Sequence, residues 1–275
     1  MDGIVFYKMS GSGNDFIMLD GRHLDPGFLT EDRARTLCDR RLGVGADGLV
    51  LLTPDAPGDV RMDFWNCDGS RADMCGNAAL CSTRLSAHLE MAPASGMRLV
   101  TRAGTFPVRC RSGAGELAEL NLPDFVLPAT PPGLDPGPGE APGSLATVGV
   151  PHLVVEVADL ERPDLMDRGR VLRLHSLLGP AGANVNFVAP REGRWCVRTY
   201  ERGVEAETLA CGTGAVAAAV ALVQSRKASF PVELVTRSGR ILTITATLSA
   251  GRATKVWLIG EGRLVFTGVL SGPST

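Results

Sequence analysis

Lysine is nearly missing from this chain of 275 residues. Only Lys8, Lys227 and Lys255 occur, and none stands in the glycine-rich cradle of a pyridoxal phosphate site, so no such cofactor is expected. Long apolar runs are missing too: nothing nears the roughly 18 consecutive apolar residues of a membrane span, and residues 215–223 are too short and too alanine-rich. An excess of positive charge is absent, with 28 Lys and Arg against 30 Asp and Glu, and the arginines are scattered; nucleic acid is a poor partner. Residues 1–9 lack the charged and apolar regions of a signal peptide, and the chain is expected to work in the cytoplasm. Cys67, Cys75 and Cys81 lack the short paired spacing of a structural zinc site and have no matching histidine pair, so no metal is expected.

What is present is a globular composition. At 44% apolar residues the chain can bury one large core or two ordinary ones. Seven cysteines are an odd number in a chain too long to need staples, which favours reduced thiols. Two of them stand 136 residues apart, each heading a small-residue turn that opens an alanine-rich helix: Cys75-Gly76-Asn77-Ala78-Ala79 and Cys211-Gly212-Thr213-Gly214-Ala215. The surroundings repeat as well. Asn66 lies nine residues before Cys75 and Arg202 nine before Cys211, and the turn glycines Gly104 and Gly239 follow 29 and 28 residues later. An internal duplication accounts for this. His152 and Glu201, 59 and 10 residues before Cys211, are set against Asn14 and Asn66, 61 and nine before Cys75.

The pattern of elements reads as two α+β lobes related by a pseudo-two-fold axis. Strands are expected near residues 4–7, 16–19, 49–52 and 61–65, with a helix from Thr30 to a stop at Gly43, a helix after Cys75 and a hairpin turning at Gly104. The second half repeats this with strands over 148–157, 185–188 and 194–200, helices near 164–174 and after Cys211, and a hairpin whose Ser238-Gly239 turn suits a primed geometry. Residues 128–144 carry proline or glycine at about every second position, which places the lobe junction there or just before, with lobes of 1–123 and 124–263.

If the halves face each other, one site receives two thiols from opposite sides. A helix N-terminus lowers a thiol's pKa and attracts anions. Removing an α-proton from an amino acid without an electron sink needs fixed donors on the carboxylate, and the amides of Gly76-Asn77 and Gly212-Thr213 can supply them. One thiolate takes the proton and the opposing thiol returns one, inverting the stereocentre. His152 and Glu201 are the candidate bases for thiolate formation.

The chain closely resembles the diaminopimelate epimerase family, cofactor-independent enzymes of lysine and peptidoglycan biosynthesis. The matching stretches run in order along nearly the whole length: Lys8-Met9-Ser10-Gly11-Ser12-Gly13-Asn14-Asp15-Phe16, Gly43-Val44-Gly45-Ala46-Asp47-Gly48, Asn66-Cys67-Asp68-Gly69-Ser70, Met74-Cys75-Gly76-Asn77, Pro151-His152, Asn184-Val185-Asn186-Phe187, Tyr200-Glu201-Arg202-Gly203 and Glu207-Thr208-Leu209-Ala210-Cys211-Gly212-Thr213-Gly214-Ala215. The resemblance implies two pseudo-symmetric lobes, each a mixed or antiparallel sheet wrapped around a central helix, with residues 264–275 returning to the first lobe. It implies LL- to meso-diaminopimelate epimerisation with Cys75 and Cys211 as the acid/base pair. Asn14, Asn66, Asn184, Glu201 and Arg202 would hold the distal amino and carboxyl groups, and the amides after each cysteine the reacting carboxylate. Partners beyond the small-molecule substrate are not implied, and a homodimer is left open.

Two stretches depart from the family pattern. Where the family reads C-G-N-G-A-R-C this chain has Cys75-Gly76-Asn77-Ala78-Ala79-Leu80-Cys81, and where it reads G-N-P-H this chain has Gly149-Val150-Pro151-His152. The Val150 side chain can neither donate nor accept, so a lost contact worth about 1–3 kcal/mol would blunt specificity. Racemisation of another amino acid is therefore one alternative; a thiol redox protein and a noncatalytic binding pair are others. Cys38, Cys67, Cys81, Cys110 and Cys196 are expected as small core hydrophobes, and His23, His88 and His175 keep ordinary packing roles.

Overall fold

Alternating apolar and polar positions with β-branched residues make most of this chain strand, and two runs of alanine and other small residues make its two most buried helices. The computed structural model describes residues 3–25 and 27–270. It divides into two units, the described residues of Met1–Leu120 with Ile259–Thr275, and Asn121–Leu258.

The first lobe opens with β1 (Ile4–Gly11), β2 (Asn14–Asp20), α1 (Glu31–Cys38), β3 (Gly48–Pro54), β4 (Asp59–Asn66), β5 (Arg71–Ala72), α2 (Gly76–His88), β6 (Met97–Thr101) and β7 (Gly104–Cys110). The chain leaves this lobe within β8 (Leu117–Leu122). The second lobe holds β9 (Phe125–Val126), β10 (Ser144–Val148), β11 (Val150–Glu156), α3 (Leu165–Arg173), β12 (Asn184–Arg191), β13 (Arg194–Glu201), β14 (Ala206–Thr208), α4 (Gly212–Gln224), β15 (Val232–Val235) and β16 (Ile241–Ser249). The chain returns to the first lobe within β17 (Arg252–Glu261), and β18 (Arg263–Leu270) pairs antiparallel with β1. Of the final segment, residues 271–275 lie outside the described residues.

The duplication is visible strand by strand. A hairpin comes first in each lobe, β1–β2 and β10–β11. A parallel partner follows across a helical crossover, β2 with β3 and β11 with β12, and then an antiparallel one, β4 on β3 and β13 on β12. After the cysteine-headed helix, β6 joins β4 in parallel and β15 joins β13 in parallel. The central helices α2 and α4 pack against the strands of their own lobes on nearly every side. Small side chains allow that close approach: in α4 Ala215, Ala217, Ala218, Ala219 and Val220 are fully buried. Leu80 and Leu85 do the heavier burial in α2, each contributing about 2 kcal/mol. Both helices end alike. Glu90 (φ +56°) and Arg226 (φ +61°) turn left-handed, and Met91 N donates to Ser86 O at 2.9 Å as Lys227 N donates to Leu222 O at 2.9 Å. This is the same six-to-one capping bond 136 residues apart.

Three local expectations are corrected. The first helix stops at Cys38 rather than Gly43, because the Asp39 carboxylate accepts from the amides of Arg41 and Leu42, both at 2.7 Å, and a turn replaces another helical turn. Residues 148–157 are not one strand. The chain reverses at Gly149 (φ +71°), and Val148 pairs with Val150 across the hairpin. The β15–β16 loop is not a primed turn: only Gly239 (φ +78°) is left-handed, while Arg237 and Ser238 are not. Gly239 N donates to Thr236 O at 2.9 Å, and the glycine forms the bulge of a three-residue loop.

Candidate active site

Both cysteines are helix N-caps in extended backbone, Cys75 at φ −136° and ψ 124°, Cys211 at φ −125° and ψ 109°. Each carbonyl accepts its helix's first bond, from Ala79 N and Ala215 N, both at 2.9 Å. Neither side chain makes a capping hydrogen bond. The first-turn amides at Gly76-Asn77 and Gly212-Thr213 thus point along a helix axis at its electropositive end.

In the first lobe, Asn77 is buried and its Nδ2 donates to Asn14 Oδ1 at 2.7 Å. Asn14 Nδ2 donates to Asp47 Oδ2 at 3.0 Å. Behind them stands a charged layer that the sequence did not single out: Arg40 bridges Asp15 at 2.6 Å and Asp47 at 2.7 Å, and Lys8 Nζ lies 2.6 Å from Asp15. Burial pushes the Asp15 carboxyl up, but Arg40 and Lys8 outweigh it and hold the group below the ordinary carboxylate value. Asn66 ends β4, and its Nδ2 donates to Ser70 Oγ at 3.0 Å within its own turn. Cys67, expected in the core, is exposed because it follows the strand end into that turn.

In the second lobe, His152, Thr213 and Cys211 stand in a row. His152 is fully buried, its Nε2 is 3.0 Å from Thr213 Oγ1, and Thr213 Oγ1 is 3.7 Å from Cys211 Sγ. Asn184 is buried and its Oδ1 accepts from Arg202 N at 2.7 Å, fixing the Glu201-Arg202 turn. Glu201 ends β13; burial pushes its carboxyl up, and a hydrogen bond to the Thr208 side chain pulls part of the way back.

Strand register aligns the two lobes residue by residue. Phe16 pairs with Gly48 and Gly48 with Asn66; His152 pairs with Asn184, whose next residue Val185 pairs with Tyr200. Phe16 therefore corresponds to His152, Asn66 to Glu201, and Asn14 to Val150. The offset that set His152 against Asn14 is two residues out, because Val150, like Asn14, opens its strand 61 residues before its cysteine.

A family model described as diaminopimelate epimerase matches residues 6–119 and 144–256. The chain belongs to the diaminopimelate epimerase family. A diaminopimelate epimerase of Gemmatimonas aurantiaca is 44% identical, over 97% of this chain and 99% of that one. One of Aquifex aeolicus is 40% identical, over 97% of each. Solved structures share the fold at lower identity: a phenazine biosynthesis protein of the PhzF family from Enterococcus faecalis at TM-score 0.74 and 16% identity, covering 98% of this chain and 99% of that one, and a probable proline racemase from Agrobacterium radiobacter K84 at 0.68 and 19%, covering 98% and 93%. Among the described residues no helix is long and apolar enough to cross a membrane.

Against that family's pattern, the buried histidine has a measurable consequence. Burial, with the nearby positive charge of Arg202, pushes the His152 imidazole down from 6.5 to about 3. Between those values the unfolded chain binds a proton that the folded chain does not. Stability is thus complete above about pH 6.5 and falls as pH drops toward 3, by at most about 1.4 kcal/mol per pH unit. Glu201, raised on folding, acts with the opposite sign, so the difference between wild type and His152→Gln isolates the imidazole. Urea midpoints at pH 7 and pH 5 are expected to fall further for wild type than for His152→Gln. Equal falls would remove this reading.

Proposed function

We propose that this protein interconverts LL- and meso-diaminopimelate without a cofactor, by two-base proton transfer at the α-carbon. One cysteine, as thiolate, removes the α-proton, and the other, as thiol, delivers a proton to the opposite face. The observation that carries the reading is the repeated cysteine N-cap. Each sulfur stands beside a row of helix-end amides able to hold the α-carboxylate while negative charge builds on it. Asn14, Asn66, Asn184, Glu201 and Arg202 take the distal ammonium and carboxylate. Membership of the diaminopimelate epimerase family supports the substrate.

The test is incubation with each diaminopimelate stereoisomer in deuterium oxide. Inversion with deuterium at the α-carbon is expected for the LL and meso isomers. No exchange with any isomer would overturn the reading. One observation favours a second reading, racemisation of a different amino acid: Val150 occupies the place that Asn14 holds in the first lobe. Turnover of proline, histidine or glutamate in preference to diaminopimelate would select it.

A further inference from the structure

Below Cys211 the second lobe carries a column of buried polar side chains whose donor and acceptor roles are forced. Asn186 and His152 are fully buried and Thr199 is 3% exposed. The carbonyl of Leu153 can only accept, so the Asn186 amide must turn its Nδ2 toward it, at 3.2 Å. Nδ2 also lies 3.3 Å from His152 Nδ1 and donates its second hydrogen there. Asn186 Oδ1 then faces Thr199 Oγ1, which donates to it at 2.9 Å. Flipping the amide would set Oδ1 against the Leu153 oxygen and leave both acceptors facing each other in a dry site.

The consequence passes along the ring. Because Nδ1 receives a hydrogen, the neutral imidazole carries its own on Nε2 and donates to Thr213 Oγ1 at 3.0 Å. A hydroxyl oxygen that has accepted this bond directs its own hydrogen onward, and Cys211 Sγ lies 3.7 Å away. A protonated ring would present hydrogens to both Asn186 Nδ2 and Thr213, and burial opposes that charge.

The first lobe has no such column. Register puts Val50 opposite Phe64 where the second lobe has Asn186 opposite Thr199, and Phe16 where it has His152. Phe16 and Phe64 meet edge to face with centroids 6.0 Å apart. The duplication is thus broken beneath one cysteine only.

We propose that Asn186 and Thr199 are positioning residues that lock His152 as a hydrogen-bond donor, so that Thr213 donates to Cys211 and holds its sulfur as the acceptor. The two cysteines then differ before substrate arrives, and His152 acts as a fixed dipole and not as the base that takes the thiol proton. The kinetic consequence rests on the proposed epimerase reading; the state of the ring does not.

Nitrogen-resolved NMR of histidine-labelled protein without substrate reads the tautomer, and steady-state kinetics with diaminopimelate reads the consequence. In wild type the His152 hydrogen is expected on Nε2. Asn186→Leu should shift the tautomer and lower kcat by about tenfold to a hundredfold with KM within about twofold, and Thr199→Val should do so more weakly. Thr199→Ser should restore both readouts. A wild-type ring protonated at Nδ1 would overturn the proposal, as would an unchanged tautomer in Asn186→Leu. If Asn186→Leu does not fold, the near-isosteric Thr199→Val with its serine rescue decides, and an unchanged spectrum there counts against it. An Nε2-protonated ring in a protein that turns over no diaminopimelate would leave the column standing and remove the epimerase reading alone.

Discussion

Cys211→Ser is expected to leave the protein at least as stable as wild type while lowering kcat about 10³-fold, and Cys75→Ser to do the same. Serine is a preferred N-cap whose oxygen accepts from a first-turn amide, whereas neither cysteine makes that bond here. The gain is about 0.5–1 kcal/mol, a rise of roughly 1–4 °C in melting temperature. The loss follows from acidity, since an alcohol is almost never ionised near neutral pH and a thiol with a pKa near 8.5 is within reach of ionisation. The serine oxygen would also occupy amides that the substrate carboxylate is proposed to use, so KM should rise. Thermal melts and steady-state kinetics on the two variants check this. A serine variant that melts several degrees lower and keeps wild-type turnover would show that the sulfurs are structural. The helix ends are thus suboptimal as caps, and function supplies the reason.

Gly214→Ala is expected to be the most damaging single methyl in the second lobe. A Cβ there would lie 2.1 Å from Asn186 Oδ1 and 3.3 Å from Cys211 Sγ. One of these must move, and the first is held by Thr199 in a fully packed strand. Overpacking of this kind costs about 1–3 kcal/mol, and a displaced Asn186 leaves the Leu153 carbonyl and the His152 ring without their donor. Loss of kcat by about a hundredfold should accompany the lower melting point. The first lobe offers the control, because it already has Ala78 in the matching place, with Val50 where the second lobe has Asn186. Ala78→Gly should cost about 1 kcal/mol of helix stability with kcat nearly unchanged. In the double variant Gly214→Ala with Asn186→Ala, stability should recover in part while kcat stays low. Full recovery of both would mean that Asn186 only fills space.

The two lobes were legible in the sequence because each repeats a spaced set of unlike residues. Cysteine, small turn, alanine-rich helix and hairpin recur at one offset, which chance packing does not produce. The charged layer of Lys8, Asp15, Arg40 and Asp47 was not legible. Its members lie on a strand, a strand start and a loop, and only the parallel register of β2 on β3 assembles them. Asn186 carried a faint signal, as a polar residue in the apolar run from Val185 to Val188. Spacing alone could not say that Thr199 opposes it or that Leu153 lends it a carbonyl.

The amino-acid sequence by itself determined the duplication, the α+β class, the family and the two sulfurs at helix starts, since all of these follow from local composition and from distances along the chain. Tertiary structure alone decided that Asn14 answers to Val150 rather than to His152, and that the ring beneath Cys211 donates. Hydrogen-bond direction depends on which acceptors meet across strands, and that is set by register, where a shift of two residues exchanges a polar row for an apolar one.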